Sequence, residues 1–385
     1  MANLKIGING GGVGGLCAAI ALRKTGHEVE VFEQATSFKR VGADINLTPN
    51  VVRALDGLGV VPALMKTAAR PTHRISRTWN TGEETSRLEM AETAERKYGA
   101  PQLTIHRADI LNALRDQLPP ETLRLNHRVQ TVESDHDFAA VVFSDGKRLG
   151  FDVLIGADGI HSPTRTALFG PESPEFTGLV SYRSVFDRNL VSVPNLDTFT
   201  KWWGPTPDRQ IVTFPLNRGG EMFVFATTSQ PDWRHESWTM PGDIEELRRA
   251  YADFHPEARA LLDACTEVTK SALYVRDPFP KWSTGRVTLL GDACHPMVPF
   301  MAQGAAMAIE DAVVLGRALA DADLGNVTAA LLRYENARKE RTARVQMGSR
   351  GNEWLKVGGN ADWVYGYDAW NVELPEIGLN SELQN

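Results

Sequence analysis

The chain has 385 residues, of which 42% are hydrophobic and 23% are charged, a composition that excludes a disordered or collagen-like protein. Its formal net charge of −7 argues against a general nucleic-acid binder, because no overall basic field gathers phosphates. Three cysteines without metal-ligand spacing indicate a reducing compartment. Neither a signal peptide nor an apolar run of about 18 residues is found, so we expect a cytoplasmic protein without a membrane span.

The first elements predict a βαβ unit. Residues 4–8 read as a short buried strand, residues 16–24 as a helix and residues 28–33 as an alternating strand. A glycine turn at residues 10–15 joins the first strand to the helix. This order of strand, glycine-rich turn, helix and strand is typical of dinucleotide-binding folds.

The same alternation continues downstream. Residues 50–66 predict a helix followed by a second, shorter one, with Gly57 and Gly59 as breaks. The strand-like segment "PQLTIH" leads into the amphipathic helix "HRADILNALRDQL", and "FDVLIGADG" is a further apolar strand.

The pattern changes between residues 176 and 275. The segments "LVSYRSVF", "DRQIVTFPL" and "EMFVFATTS" predict strands of an antiparallel sheet, and "GDIEELRRAYADF" predicts a helix. From residue 285 the apolar-strand-then-helix pattern resumes, with an arginine-rich helix over residues 325–349 and an irregular tail. We therefore expect an α/β protein in which a mostly antiparallel β-sheet domain is inserted into a Rossmann-like domain.

The expected domain boundaries follow from these changes in pattern. The nucleotide-binding domain is assigned to residues 1–70, 100–175 and 276–350. The inserted substrate domain is assigned to residues 71–99 and 176–275, and residues 351–385 are the C-terminal tail.

Gly10, Gly12 and Gly15 meet the pattern G-x-G-x-x-G between a strand and a helix. The first glycine permits the tight turn, the second lets the backbone approach a pyrophosphate, and the third lets helix and strand pack closely. Glu33 ends the second strand, near the position of an acid that binds ribose hydroxyls. The motif predicts a bound dinucleotide and leaves open whether it is FAD or NAD.

Two further strands run into an aspartate. Asp158 follows an apolar strand in "GADG", and Asp292 does so in "LLGDACHPMVPFMAQGAAMAIEDA". A helix of small residues is predicted to begin near Gln303 and Gly304, so that its N–H groups point back toward Asp292. Reduced flavin is an anion at its N1 and O2 edge, and this arrangement therefore suits a flavin better than a nicotinamide.

The order of these motifs, with Arg107 in "HRADIL" between the first two, resembles the single-component FAD-dependent aromatic hydroxylases, the para-hydroxybenzoate-hydroxylase-like flavoprotein monooxygenases. The resemblance runs from residue 4 to about residue 345. It implies that FAD is the cofactor, that NADH or NADPH is the co-substrate, and that O2 is activated as a flavin C4a-hydroperoxide. The implied product is a hydroxylated small aromatic or heteroaromatic ring of phenol, hydroxybenzoate or hydroxypyridine-carboxylate type.

The resemblance also implies roles for particular residues. Glycines of the first motif hold the FAD pyrophosphate, Glu33 the adenosine ribose and Asp292 the ribityl or pyrophosphate part. Residues expected to bind cofactors are Gly10, Gly12, Val13, Gly14, Gly15, Glu33, Gln34, Arg40, Arg107, Asp158, Asp292, Pro299, Gly304, Ala305 and Ala306. Residues expected at the reacting ring are Leu47, Gln210, Phe214, Pro299 and Phe300. No metal is implied.

The expected pocket departs from the family's pattern at several positions. The family places a histidine at the position aligned with Gln210 and a tyrosine at Phe214, and neither residue of this chain can serve as a general base. Near relatives also carry histidine where this chain has Leu47 and Phe300. The pocket is therefore expected to be apolar, with Asp44, Tyr182, Arg183 and His295 as possible polar contacts.

Other functions stay open at this stage. A flavoprotein oxidoreductase of another type could use the same scaffold, although the "WxWxIP" segment of halogenases is missing. An NAD-dependent dehydrogenase would leave "GADG" and "GDACHP" unexplained, and a non-enzymatic flavin protein would bind the cofactor without turnover. We expect a monomer or homodimer whose partners are the aromatic substrate, O2 and NAD(P)H.

Overall fold

The computed structural model describes residues 3–38, 44–135, 138–237, 239–352 and 354–376. The strands are β1 (Lys5–Asn9), β2 (Glu28–Phe32), β3 (Asp44–Leu47), β4 (His73–Thr78), β5 (Glu84–Glu89), β6 (Leu103–His106), β7 (Leu123–Arg124), β8 (Val129–Ser134), β9 (Ala139–Phe143), β10 (Arg148–Phe151), β11 (Val153–Gly156), β12 (Glu175–Asp187), β13 (Phe199–Trp203), β14 (Gln210–Leu216), β15 (Glu221–Ser229), β16 (Thr269–Val275), β17 (Ser283–Thr284) and β18 (Val287–Leu289). The helices are α1 (Val13–Lys24), α2 (Pro49–Leu58), α3 (Val61–Leu64), α4 (Glu92–Tyr98), α5 (Arg107–Arg115), α6 (Pro163–Phe169), α7 (Ile244–Ala250), α8 (Pro256–Asp263), α9 (Gly304–Leu319), α10 (Val327–Gly351) and α11 (Asp362–Tyr365).

A six-stranded sheet in the order β17-β18-β11-β1-β2-β7 forms the nucleotide-binding half. All of its pairings are parallel except that of β17 with β18. The neighbouring strands β1, β11 and β18 end at the same edge, because parallel strands share their direction. The glycine turn, the "GADG" segment and the Gly291–Asp292 turn follow these three strands directly, so the fold brings the three sequence motifs to one place, where ligands of open α/β sheets bind.

The second large sheet has seven strands in the order β16-β12-β15-β14-β13-β4-β5. Its pairings are antiparallel except that of β4 with β13. Strands β4 and β5 come from residues 73–89 and join strands from residues 175–275. A sheet face rich in phenylalanine turns toward the nucleotide-binding half, and the opposite face packs under α7 and α8.

Helix α1 packs against α9 at close range. A Cβ atom added to Gly316 of α9 would lie 2.7 Å from the Ala21 Cβ atom of α1, so the small residues at this contact let the two helices approach. The apolar core of this half gathers α1, α2, α5, α9 and the strands of the parallel sheet. The contact fixes the start of α9 beside the glycine turn.

The predicted α/β fold with an antiparallel sheet is confirmed, with differences at the ends of elements. Helix α1 begins at Val13 rather than at residue 16, because the last two glycines of the motif already belong to its first turn. The tail is not wholly irregular, since residues 362–365 form α11. No helix in the described part of the chain is long and apolar enough to span a membrane.

Candidate active site

A cavity of about 310 Å³ lies between the carboxyl edge of the parallel sheet and the phenylalanine-rich face of the seven-stranded sheet. One end is lined by backbone-rich segments of the sequence motifs, and the other by side chains of the second sheet. Its lining residues include Gly12, Val13, Gly14, Asp44, Ile45, Asn46, Arg74, Arg107, Ala157, Arg183, Phe199, Lys201, Gln210, Val212, Phe214, Phe223, Phe225, Asp292, Met297, Pro299, Phe300, Gly304 and Ala305. The cavity therefore joins both halves of the fold.

The glycines of the first motif face different surroundings. Gly10 has φ +111°, and a Cβ atom on Gly15 would lie 2.0 Å from the Gly10 carbonyl oxygen. These two glycines therefore serve the turn and its packing. A Cβ atom on Gly12 would meet nothing within 4 Å, although Gly12 lines the cavity, so its missing side chain leaves space for a ligand at the backbone.

Two helices point uncapped N-termini at this cavity. Helix α1 begins after Gly12 and helix α9 begins after Gln303. At neither helix does the N-cap side chain accept a hydrogen bond from a backbone N–H group of the first turn. The Gln303 amide instead donates to Thr48 Oγ1 at 3.0 Å. The N–H groups of a helix's first turn lack intrahelical partners and carry partial positive charge. The cavity can therefore hold an anionic ligand at two separate points.

Arg107 and Asp292 add charge between these two points. Burial lowers the pKa of the Arg107 guanidinium, and the nearby Asp292 and Glu33 carboxylates oppose that shift. Burial raises the pKa of Asp292, against the opposing effects of His295 and Arg107. His295 itself is held by its Nε2 atom 2.6 Å from Asp311 Oδ2. It therefore fixes the loop after Asp292 instead of facing the cavity.

The carboxylates of Glu33 and Asp158 bind the protein's own groups. Glu33 accepts hydrogen bonds from the backbone N–H groups of Gly11 at 2.8 Å and Ala35 at 2.7 Å. Asp158 accepts from Asn9 Nδ2 at 2.7 Å and from the Thr164 N–H at 2.9 Å, and burial raises its pKa. Both side chains hold the turns that surround the cavity.

The other end of the cavity is a wall of aromatic rings. Phe199 and Phe214 stack with centroids 5.1 Å apart, and Phe214 pairs across the sheet with Phe223. Phe300 lies in a short 3-10 turn, Pro299–Met301, and packs with these rings in one apolar cluster. A flat aromatic ligand fits between such surfaces, because offset and edge contacts of rings are favourable.

Lys201 and Arg74 at this wall were missed as candidate site residues. Both side chains are buried, at 3% and 5% relative exposure, and both line the cavity. The sequence signal was the alternation Phe199-Lys201-Trp203, which puts Lys201 on the same face of β13 as Phe199. Asp44 and Arg183 also line the cavity, and burial raises the pKa of Asp44 to about 7 despite the opposing charge of Arg183.

The structure brings together part of the expected set. The expected residues that line the cavity are Gly12, Val13, Gly14, Arg107, Gln210, Phe214, Asp292, Pro299, Phe300, Gly304 and Ala305. Those that do not line it are Gly10, Gly15, Glu33, Gln34, Leu47, Asp158 and Ala306. Arg40 lies outside the described residues.

One expected ring contact, Leu47, and one possible polar contact, Tyr182, lie elsewhere. Leu47 is fully buried in the core of the nucleotide-binding half, while its neighbours Asp44, Ile45 and Asn46 line the cavity. The Tyr182 hydroxyl accepts a hydrogen bond from Gln230 Nε2 at 2.8 Å, and its ring packs in the cluster on the other face of the sheet.

Residues 3–349 match the model of the FAD binding domain family. The protein belongs to this family, and the relatives described next show it to be a flavin-dependent monooxygenase of the aromatic-hydroxylase class. The resemblance stated from the motifs is thereby confirmed. The uncapped helix N-termini, the open space at Gly12 and the half-buried Arg107 at the cavity fit FAD, whose pyrophosphate is anionic and whose reduced ring is anionic at one edge.

The relatives agree with this class. The chain is 40% identical over 376 residues to 6-hydroxynicotinate 3-monooxygenase of Bordetella bronchiseptica, covering 97% of each chain. It is 33% identical to salicylate hydroxylase of Pseudomonas putida, covering 99% of this chain and 89% of the relative. Among solved structures, Klebsiella pneumoniae HpxO complexed with FAD and uric acid superposes with a TM-score of 0.81 at 26% identity, covering 93% and 90% of the two chains.

Proposed function

We propose that this flavoprotein hydroxylates a small ring of phenol, hydroxybenzoate or hydroxypyridine-carboxylate type, with NADH or NADPH as reductant and O2 as oxidant. The observation that carries the proposal is the wall of phenylalanine rings placed against Pro299 and Phe300 in the cavity that holds the nucleotide-binding motifs. The relative of 40% identity acts on 6-hydroxynicotinate, which is a ring of the proposed size.

FAD would be held mainly by backbone groups. In the proposed arrangement Gly12, Val13 and Gly14 hold the pyrophosphate, with Arg107 and Asp292 beside it. Gly304 and Ala305 present the first N–H groups of α9 to the flavin ring. When bound, FAD accepts a hydride from NAD(P)H and activates O2, and this chemistry belongs to the cofactor.

The remaining roles are those of positioning and of excluding water. Phe214 and Phe300 would hold the substrate ring, since a reacting atom must be brought within about 3–3.5 Å of its partner. The same rings exclude water, which prevents wasteful release of the activated oxygen. Gln210 cannot act as a base, so the proposed arrangement takes up a ring whose electron-donating group is ionised on entry, is stabilised by a cation, or passes its proton to another lining group such as Asp44.

The wider organisation is proposed on the same basis. Strands β4 and β5 share a sheet with the strands of residues 175–275, which supports assigning residues 71–99 and 176–275 to one substrate domain. Cys17, Cys265 and Cys294 are buried free thiols, which supports a cytoplasmic location. We propose a monomer or homodimer.

The proposal is tested with the purified protein. We expect a yellow protein from which FAD is released on denaturation. We further expect one of a panel of hydroxybenzoates and hydroxypyridine carboxylates to stimulate NADH or NADPH oxidation and to give a product heavier by one oxygen atom. A flavoprotein that yields no oxygenated product with any such ring would contradict the proposed hydroxylation.

A further inference from the structure

Three polar side chains stand together beside the aromatic wall, and all present hydrogen-bond donors. Lys201 lies on β13, Gln210 on β14 and Arg74 on β4, and all three line the cavity. Lys201 pairs with Val212 across the sheet, and Arg74 pairs with Phe199. Directly opposed residues on neighbouring strands point to the same face, so the two cations flank the phenylalanine rings.

Neither cation forms an ion pair in the described part of the chain. Lys201 Nζ donates to Asn352 Oδ1 at 2.6 Å and lies 3.7 Å from the Trp203 ring centroid. Arg74 contacts the Tyr365 hydroxyl at 3.5 Å and the rings of Phe199 and Trp354. Burial, with Arg74 and Lys356 nearby, holds the pKa of Lys201 well below its usual value. A lysine with a lowered pKa gives up its proton more readily, so a ligand anion beside Lys201 and Arg74 would favour the protonated lysine and offset the cost of burying two like charges.

The orientation of Gln210 follows from its neighbours. Lysine can only donate, so the atom of Asn352 that faces Lys201 must be Oδ1. The Asn352 amide nitrogen then donates to the Pro207 carbonyl and, at 3.4 Å, to Gln210 Oε1. Gln210 is 1% exposed, and its remaining Nε2 donor has no partner in the part of the chain that the structure describes. An unsatisfied buried donor on a cavity wall needs an acceptor from a ligand.

We propose that Lys201, Arg74 and Gln210 form a subsite for an oxyanion carried directly by the substrate ring. The inference rests on the proposed function and adds which residues recognise the substrate and by which charge. The three groups offer donors and two positive charges, so the subsite favours an anion over a neutral amide or alcohol. The subsite also supplies the cation that stabilises an ionised ring in a pocket where Gln210 and Phe214 offer no base.

Two groups on a ring share this chemistry, a carboxylate and a phenolate oxygen. Flavin-loaded protein without NAD(P)H is titrated with benzoate, with 4-nitrophenolate and with neutral benzamide, and binding is followed by titration calorimetry, because 4-nitrophenolate absorbs light where the flavin does. Because a charge-assisted hydrogen bond contributes about 1.5–3 kcal/mol, Lys201→Met is expected to weaken at least one anion about tenfold or more. The benzamide Kd is expected to stay within about twofold.

Matched variants separate the subsite from general effects of charge. Lys356→Met removes a nearby positive charge that does not line this cavity and is expected to leave every Kd within about twofold. Lys201→Arg keeps the charge and is expected to retain most of the anion affinity. Gln210→Leu removes the Nε2 donor, together with the Oε1 acceptor for Asn352, without changing the charge, and it is expected to weaken the same anion about threefold or more.

The outcomes assign the ligand group or reject the subsite. Loss confined to benzoate assigns a carboxylate, and loss confined to 4-nitrophenolate assigns a phenolate. Wild-type protein that binds neither anion more tightly than benzamide overturns the proposal, as does Lys201→Met with unchanged anion affinity. These titrations involve no turnover, so a failure to hydroxylate any ring would count against the proposed function and leave the subsite to be decided by binding.

Discussion

Gly12 and Gly15 are close in sequence, but their Cα atoms have different surroundings. A Cβ atom on Gly15 would lie 2.0 Å from the Gly10 carbonyl oxygen, whereas one on Gly12 would project into the cavity with nothing within 4 Å. A side chain at Gly15 would therefore disturb packing within the protein, whereas a side chain at Gly12 would take up space that is left for a ligand. The two effects are separable by experiment.

We expect Gly12→Ala to fold with an unchanged thermal midpoint when no flavin is added, and to bind FAD about tenfold or more weakly. Gly15→Ala serves as the matched comparison, because overpacking against backbone costs about 1–3 kcal/mol of unfolding free energy. The measurements are thermal melts with and without FAD and titration of stripped protein with FAD. A Gly12→Ala protein with wild-type FAD affinity would show that this glycine does not make room for the cofactor.

Lys201 should also affect the stability of the protein, because the charge that would recognise the substrate is costly to bury. Its pKa is held well below the usual value by burial and by Arg74 and Lys356. In the pH range between the lowered pKa and the ordinary value, the unfolded chain binds more protons than the folded protein, so wild-type stability rises with pH.

We therefore expect Lys201→Met to be more stable than wild type at pH 7 in the absence of an aromatic anion. The advantage should shrink as the pH approaches 10, where the lysine of the unfolded chain also loses its proton. Denaturant unfolding of flavin-loaded protein at several pH values measures the difference, and Lys356→Met is the control. A variant that is less stable than wild type at every pH would mean that the contacts with Asn352 and Trp203 outweigh the desolvation of the charge.

At the scale of elements, helix α9 is fixed to α10 by buried ion pairs. Arg338 of α10 is fully buried and lies 2.8 Å from Glu310 and 2.7 Å from Asp311 of α9. Asp311 also accepts from His295, so this network connects α10 through α9 to the loop after Asp292. Arg341 and Arg338 hold the pKa of Glu310 below its usual range, and His295 and Arg338 do the same for Asp311, although burial opposes both shifts.

We expect Arg338→Met to lower the unfolding free energy by about 3 kcal/mol, the lower end of the range for a broken buried ion pair, because Glu310 keeps its pair with Arg341 and Asp311 keeps its pair with His295. Carboxyl groups with lowered pKa values stabilise the fold above their ordinary pKa, and this stability is lost as the pH falls through the folded value. The variant should therefore lose stability most at neutral pH and least in acid. Urea unfolding at pH 7 and pH 4.5 tests this expectation, with exposed Arg344→Met on the same helix as the control. Equal losses at both pH values would contradict it.

At the scale of the whole molecule, the cavity is built by two sheets that are interleaved along the chain. The carboxyl edges of β1, β11 and β18 supply the proposed cofactor end, and the face of β4, β13, β14 and β15 supplies the proposed ring end. The short turn that holds Pro299 and Phe300 lies between the two ends. A hydroxylase needs this arrangement, because the flavin and the substrate ring must meet where water is excluded.

The sequence was sufficient for the cofactor end because that end depends on local patterns. The glycine turn and the two aspartates each follow a strand directly, so short stretches of sequence predict their positions at strand ends. Parallel pairing of the three strands then brings them to one edge of the sheet. Arg74 and Lys201 are 127 positions apart, so their meeting depends on the parallel pairing of β4 with β13, which no local pattern predicts. Leu47 was expected at the ring because near relatives carry histidine at that position, but the apolar side chain of this chain packs into the core.

The C-terminal tail covers the ring end of the cavity from outside. Leu355 and Lys356 accept hydrogen bonds through their carbonyl oxygens from Ser76 at 2.8 Å and Thr85 at 2.7 Å. Leu355 and Tyr365 pack in one apolar cluster with Met301, the residue after Phe300. The tail therefore braces both β4 and the turn that carries the ring contacts.

A chain that ends at residue 353 should keep the nucleotide-binding motifs but lose this brace. We expect a lower thermal midpoint and, in the presence of the aromatic substrate, more hydrogen peroxide and less hydroxylated product for each NAD(P)H oxidised. The cause is water entering where Met301 and Arg74 have lost their cover. A chain ending at Glu376 keeps every contact named for the tail and is the matched control. Equal ratios of product to NAD(P)H in the two shortened chains would mean that the aromatic wall and Phe300 exclude water without help from the tail.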